Sequence, residues 1–494
     1  MLIARPETHG FIEVEKLKDK VQLLQGMKDL TLAGAAMGRG AACLTRFRQR
    51  LRAIAPDRIT VMGTQALREA SNGNDYALEL SEILGVPVQV ISGEQEAQLI
   101  YSAVYYRTGW MPQAKVVLDI GGGSTEIAIG DKLESDHQLS VGIGCVNLMD
   151  RFFASDETFS AQLRHATDYA TQRLDDALAA NQSLGHALSE ALQQGALSFG
   201  TSGTVESILT VLQANGWVDQ EITPEAVARL NNALTDERWL IDAGLPGLPP
   251  ERADIFPAGV AILTACLRVL GIRALRFVGV SLLHGIVYRQ LINDDGAAGQ
   301  DVVSDVREAS VARLAAEYSV DLDQAARVRA TAMSLYEQSS PWWVDEHDWE
   351  FKNLLRWSAQ LHGLGRLINS RHYHRHGGYI VKHAQLPGFS DQQRNMLALL
   401  IRGHRRSMPE IAFRAFSVEH QRDMLRAVSL LRLAVVLQRS HTDQDVPDVS
   451  LKVMENELYL DCGDGWLAEH PLTARELEVE VQQLGRAGML LHVS

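Results

Sequence analysis

Cysteine is scarce in this chain. Cys43, Cys145, Cys266 and Cys462 are the only four in 494 residues, and they are spaced neither as a metal knot nor as a disulfide framework. That fits a reducing compartment. Long apolar runs are missing too. Nothing approaches the ~20 residues that a bilayer span requires, so stable membrane insertion is not expected. The opening MLIARPETHG lacks a basic segment followed by an apolar one, so no signal peptide is visible. The expected location is the cytoplasm, with peripheral membrane association left open. Positive charge is in deficit, with a formal net charge of −14. An acidic chain is a poor general binder of nucleic acid or anionic membrane, so no nucleic-acid partner is expected. A polyanionic substrate would need a local basic channel.

What is present is a well-cored composition, 46% hydrophobic and 22% charged. The length suits three or four domains at ~100–200 residues each. Residues 1–27 read as extended in three pieces, LIARPE, FIEVEKL and KVQLLQGM. A long helix follows in LTLAGAAMGRGAACLTRFRQRLRAI, where apolar residues recur at helical spacing. Short strands ITVMGT and VPVQVIS flank a helix around residues 74–84, and Ser92 with Gln95 has capping-box spacing. Strands alternating with helices predict an α/β protein with a largely parallel or mixed sheet. A polar, glycine-containing run at 293–301 reads as a linker. Residues 304 to about 445 read as almost wholly helical, and the tail returns to strands in SLKVM and ELYLDC.

The stretch DIGGGSTEIAIG, residues 119–130, carries the strongest chemical signal. Glycines expose backbone N–H groups, which is what an anionic oxygen needs. Asp119 ends one strand and can hold Mg²⁺ directly or through water, and Glu126 on the return strand can add a second carboxylate. A turn with no ligand rarely needs three glycines with an acid on each side. The GTSGT run at 200–204 joins a strand to a helix, where free N–H groups bind phosphate, although ordinary capping by Ser or Thr explains it equally well. Glu94 and Glu96 in the first turn of a helix complement its dipole and are unremarkable alone. Glu96 gains interest only if the fold brings it opposite the 119–126 loop, where it could deprotonate a water. Arg68, after a strand, could hold a phosphate but reads first as a surface arginine. In the helical region, LHGLG, RHYHRH and GHRR cluster histidine and arginine. Gly363 follows His362 where an acid would help a metal, so a solvated or anion-facing basic surface is the favoured reading there.

These stretches together resemble the exopolyphosphatase and guanosine pentaphosphate phosphohydrolase family, over essentially the whole chain. The matching segments include VMGTQALREASN, VQVISGEQEAQLIY, VVLDIGGGSTEIAIG, GIGCVNL, FGTSGTVESI and FPAGVAIL. LLRWSAQLHGLGRLIN, HRHGGYIVKHAQLPGF and LLRLAVVL look more like the exopolyphosphatase branch. The resemblance implies an α/β fold of two actin-like, sugar-kinase-like lobes, at 1–113 and 114–300. It implies an all-α HD-type domain at 301–445 and a small α+β C-terminal domain at 446–494. It implies Mg²⁺-dependent release of terminal phosphate from inorganic polyphosphate, and a homodimer. By motif, Glu96 would be the general base, and Asp119 and Glu126 would hold Mg²⁺. Gly122, Gly123 and Ser124 would cradle the terminal phosphate, with Ser202, Gly203 and Thr204 beside it and Arg68 meeting the polymer.

The family pattern begins with a strand and a first phosphate loop that would lie upstream of Met1. An internal methionine as start and a real truncation both account for this, and the first is physically cheaper. Without that strand its neighbours should keep unpaired edges beside an apolar slot. The run Gly279 to Gly285 (GVSLLHG) also lacks the family's acid, arginine and glutamate, and Gly363 takes the place of an acid. Guanosine pentaphosphate hydrolysis is the near alternative to polyphosphate hydrolysis. A catalytically impaired polyphosphate-binding regulator is the alternative from another class. Sugar kinase or ATPase activity ranks below these.

Overall fold

The computed structural model describes the chain except residues 8, 9, 26, 110, 112, 155, 156, 236–244, 295–305, 344–347, 387, 390, 409, 415, 417, 442–448 and 464. Its contacts divide the chain into two compact units, Met1–Ser304 and Asp305–Ser494. Most of the run read as a linker lies outside the described residues.

The first unit is mixed α/β. Its main sheet has six strands in the order β7-β6-β5-β8-β10-β9. These are β5 (Lys115–Ile120), β6 (Thr125–Gly130), β7 (His137–Val141), β8 (Leu197–Thr201), β9 (Glu221–Ile222) and β10 (Leu275–Phe277). The pairs β5–β8 and β8–β10 are parallel, while β5–β6, β6–β7 and β9–β10 are antiparallel. KVVLDI is apolar on successive residues because the centre of this sheet is covered on both faces. Helices Phe159–Ala180, Ser202–Ala214 and Phe256–Leu270 supply much of the covering core, with Leu174, Ile208 and Ile262 wholly buried.

The N-terminal part of this unit is built of two separate two-stranded sheets. Strands β1 (Leu2–Glu7) and β2 (Gly10–Lys16) form an antiparallel hairpin, and β3 (Val61–Gly63) pairs in parallel with β4 (Val88–Val90). The expected slot is present. A cavity of about 800 Å³ is lined by Leu2, Ile3, Phe47, Val61, Leu283 and Ile286 among others, and both β1 and β3 border it. Among the described residues β1 pairs only with β2, and β3 only with β4.

The third extended piece is not a strand. Residues 17–25 run as turns and irregular chain because Arg39, on the helix Gly34–Leu51, binds the carbonyls of Val21 and Gln22 at 2.9 and 3.1 Å. Gln22 adopts φ +50°, which no strand allows.

The second unit is mainly helical, around a core that includes Val328, Leu355, Trp357, Leu397 and Leu431. A three-stranded sheet closes it, in the order β11 (Ser450–Met454), β12 (Glu457–Asp461), β13 (Leu490–Val493). Leu458, Leu484 and Leu491 belong to the same apolar cluster as the helices. At the outer edge of β11, the side-chain amide of Gln338 donates to Val449 O at 3.3 Å and accepts from Leu451 N at 2.7 Å. No described helix is long and apolar enough to cross a membrane.

Candidate functional site

The glycine hairpin turns between β5 and β6. Asp119 and Glu126 are directly opposite in that ladder, so both carboxylates lie on one face of the sheet. On the other side of β5, Thr201 is the register partner of Asp119, and its hydroxyl donates to Asp119 Oδ1. The Ser140 hydroxyl, on β7, donates to Glu126 Oε1 at 2.8 Å.

The loop's orientation follows from what its carbonyls bind. Gly121 O and Gly122 O accept from Cys145 N and Val146 N at 3.1 and 2.7 Å, and Gly123 O accepts from Asn147 Nδ2 at 2.9 Å. These donors open the helix Cys145–Phe152. In a trans peptide the N–H points opposite to the C=O, so the N–H groups of Gly122, Gly123 and Ser124 are turned away from that helix. Gly144 makes this seat possible. A Cβ there would stand 2.3 Å from Gly123 N and 2.4 Å from Gly122 O.

Glu96 arrives on the helix Gly93–Thr108. Ser92 caps it with the full capping box: Gln95 N donates to Ser92 Oγ at 3.2 Å, and Ser92 N donates to Gln95 Oε1 at 3.0 Å. The helix start packs against β7 so closely that a Cβ on Gly93 would fall 2.3 Å from Ser140 Cβ. Arg68 ends the short helix Gln65–Glu69, donates to Ile91 O at 2.8 Å and places Nη1 3.6 Å from Glu96 Oε2. That is an ion-pair distance rather than a hydrogen bond, and Glu96 Oε2 is buried with no hydrogen-bond partner. Gln65 Oε1 is likewise buried and unpartnered, and a Cβ on Gly123 would fall 1.7 Å from it.

Three acids share this pocket and repel one another. Burial pushes Glu96 up to about 7 against the pull of Arg68, and Asp119 pushes it further. Burial first, then Glu96 and Asp119, push Glu126 up to about 8. Burial also raises Asp119, partly offset by the Thr201 hydrogen bond. Such a site gains by receiving positive charge. Among the described residues no group of three or more His, Cys, Asp or Glu is arranged to hold a metal ion. Mg²⁺, however, usually takes one or two carboxylates and fills its shell with water and phosphate oxygens, and Asp119 with Glu126 fits that need.

The 200–204 run joins the same site through Thr201. It opens the helix Ser202–Ala214, and Ser202 takes φ +80°, a backbone state that L side chains rarely adopt and that clusters at binding sites. Gly203 lies under a guanidinium, since its Cβ would meet Arg252 Nη2 at 1.9 Å. Thr204 Oγ1 is 3.3 Å from Cys145 Sγ. The contacts above thus link Arg68, Glu96, the 119–126 hairpin and the 201–204 run within the first unit, whereas the histidine and arginine clusters at 361–376 and 403–406 belong to the second. Arg252, Asn147, Ser140, Thr201 and Gly144 were missed. Each acts through a contact that no short-range spacing rule marks, although Thr201 lies in the GTSGT run and Gly144 and Asn147 in the GIGCVNL segment.

The run at 279–285 makes packing contacts. His284 Nε2 lies 3.0 Å from Glu13 Oε1 on β2, and its Nδ1 lies 3.0 Å from Ser281 N. Gly285 lets the helix Leu282–Asp294 cross Gly93–Thr108 closely, with its Cβ position 2.0 Å from Leu99 O.

Fold and site together define a class. This is an α/β protein in which a glycine hairpin and a helix N-terminus offer backbone N–H groups beside buried carboxylates, an arrangement suited to phosphate. The chain belongs to the Ppx/GppA phosphatase family. The model of that family matches residues 2–294, and the model of Ppx/GppA phosphatase domain III matches residues 306–481. Members of the family are phosphohydrolases. Among solved structures the chain is similar to an exopolyphosphatase from Cytophaga hutchinsonii, at 23% identity and a TM-score of 0.50, over 59% of this chain and 94% of that one. It is also similar to the Aquifex aeolicus PPX-GPPA enzyme, at 20% identity and a TM-score of 0.45, over 58% and 94%. At 23% identity the likeness to the Cytophaga hutchinsonii structure speaks for the fold alone.

Proposed function

We propose that the chain is an exopolyphosphatase, which hydrolyses the terminal phosphoanhydride of inorganic polyphosphate with Mg²⁺. The observation that carries this reading is the meeting of Glu96, Asp119 and Glu126 beside the glycine hairpin, with Glu96 held near neutrality. A base poised near the working pH combines the correct protonation state with driving force. Glu96 takes the proton of the attacking water. The N–H groups of Gly122, Gly123 and Ser124 hold the terminal phosphate, and Ser202, Gly203 and Thr204 hold it from the neighbouring helix start. Arg68 aligns Glu96 and meets the polymer, and Arg252 adds a second cation. Asp119 and Glu126 hold Mg²⁺, which when bound offsets charge on the phosphoryl oxygens.

The same reading takes the chain as a cytoplasmic homodimer with no nucleic-acid partner. It divides the chain into two actin-like lobes at 1–113 and 114–300, an HD-type domain at 301–445 and a small α+β domain at 446–494. The test is Mg²⁺-dependent phosphate release from long polyphosphate by the chain and by Glu96→Gln. Release by the chain and not by the variant is expected. Saturable binding without release from either would favour a polyphosphate-binding regulator. Faster release from guanosine pentaphosphate than from polyphosphate would assign the nucleotide as substrate.

A further inference from the structure

The helical unit holds a second polar pocket that the proposed reaction does not use. It has a volume of about 370 Å³, and its lining includes His362, Arg366, Ser370, Tyr373, Arg405 and Arg439. Two guanidinium groups share one ring there: Arg366 and Arg405 lie 4.9 and 4.8 Å from the Tyr373 ring centroid. Like charges so placed repel unless an anion sits with them. Among the described residues neither arginine has a carboxylate at ion-pair distance, and Arg405 Nε is buried without a partner. The nearby acids are already committed. Glu476 pairs with Arg439, and Asp321 accepts from Gln324 N at 3.0 Å and faces His441 at 3.9 Å.

The two arginines are also held in place. Gly365 allows the turn bearing Arg366 to press onto the next helix, with its Cβ position only 2.2 Å from Tyr373 O. The turn bearing Arg405 is fixed by Arg432, which is fully buried. Arg432 donates to Gly403 O at 2.6 Å and Arg406 O at 2.8 Å, and pairs with Glu480 at 2.6 Å. Preorganised cations lose little freedom when an anion arrives.

A metal centre does not suit this pocket. His362 and His404 place Nδ1 2.7 and 2.6 Å from the carbonyls of Ala359 and Ile401. The rings of His362 and His374 stand 5.7 and 6.2 Å from that of His404. Burial holds His362 and His374 down to about 4 and His404 well below its ordinary value, so all three are neutral near pH 7. These histidines are buried rather than solvated, and the unpaired charge on the pocket is that of the arginines.

We propose that the pocket is an anion site that receives a phosphate or diphosphate group on the guanidinium groups of Arg366 and Arg405. It is distinct from the carboxylate site of the first unit and does not depend on the reaction assigned there. Ser370 and the edge of Arg439 complete a polar wall around the anion.

The test is calorimetric titration of the full chain with inorganic pyrophosphate in the presence of a chelator. Three proteins are compared: the parent, the double variant Arg366→Met/Arg405→Met, and Arg68→Ala. Methionine keeps an apolar stem against Tyr373. The double variant should bind about tenfold more weakly or worse, because charge-assisted hydrogen bonds are lost, while Arg68→Ala retains this binding event. Titration with a nucleoside diphosphate distinguishes the source: equal dependence on the two arginines means that a nucleotide's diphosphate also enters. Parent-like binding by the double variant, or loss of all binding in Arg68→Ala, overturns the proposal. So does a Zn²⁺ or Mn²⁺ site that His362→Ala abolishes. Should the double variant misfold, hydrogen exchange on the parent decides. Pyrophosphate should protect residues 364–375 and 403–406, and unchanged exchange there overturns the proposal.

Discussion

Arg68 Nη1 lies 3.6 Å from Glu96 Oε2, close enough to attract and too far to hydrogen bond. The carboxylate is thus steadied by charge alone on that oxygen, which is buried with no hydrogen-bond partner.

Removing that attraction should move the pH dependence. Arg68 pulls Glu96 down against burial and the charge of Asp119. In Arg68→Ala the acid limb of phosphate release should shift to higher pH, by roughly one unit. Glu96→Gln should lower turnover by about 10²–10⁴-fold with binding retained. Steady-state rates from pH 5 to 9 check both. An unmoved limb in Arg68→Ala would remove Glu96 as the group that titrates.

Glu126 predicts how stability depends on pH. It is pushed up to about 8 in the folded protein, whereas a free glutamate titrates near 4.3. Between those values the folded state keeps a proton that the unfolded chain has released. Its contribution to stability is complete below about pH 4 and is lost as pH rises through 8. In chelator, the parent's Tm should fall more steeply from pH 5.5 to 8.5 than that of Glu126→Gln. Mg²⁺ should flatten the parent's slope. Parallel slopes for parent and variant would mean that Glu126 is ionised throughout.

Gly144→Ala and Gly203→Ala should differ in kind. The first sets a methyl against the backbone of Gly122 and Gly123, which cannot move without displacing the hairpin. The second meets only the far end of the Arg252 side chain. Phosphate release should be abolished by Gly144→Ala and only reduced by Gly203→Ala, with Tm lowered more by Gly144→Ala. Equal losses would count against the hairpin seat described above.

The Arg432–Glu480 pair is fully desolvated on the arginine side. Arg432→Met leaves Glu480 buried and uncompensated, and also frees the carbonyls of Gly403 and Arg406. A loss of about 3–5 kcal/mol is expected by denaturant unfolding. The double replacement Arg432→Met/Glu480→Leu should recover part of it, and no recovery would place the cost in the freed carbonyls.

What the sequence disclosed was local. The box between Ser92 and Gln95 needs three residues of spacing, and it formed as expected. The hairpin from Asp119 to Glu126 is likewise contiguous, and its glycines announce it. The segment at 20–25 was misread because Arg39 captures its carbonyls from a helix that its own residues do not reveal. Arg252 escaped notice for the same reason, and the role of Thr201 within the GTSGT run did too, since their partners Gly203 and Asp119 lie far off in the chain. Ser140 and Gly144 lie within about twenty residues of their partners, but no spacing rule marks a serine on a neighbouring strand or a glycine under a loop. The raised pKa values of Glu96 and Glu126 arise from burial and mutual repulsion, which exist only once the chain has folded.

Gln338 does the work of a missing neighbour. Its amide offers a donor and an acceptor to the outermost strand of the small sheet, as a peptide group would, and also donates to Ser334 Oγ at 3.2 Å. That strand thereby meets solvent with part of its ladder already answered. A foreign strand seeking to extend the sheet would first have to evict a side chain anchored on a long helix. A single glutamine thus acts as a guard against self-association at the β11 edge of this sheet.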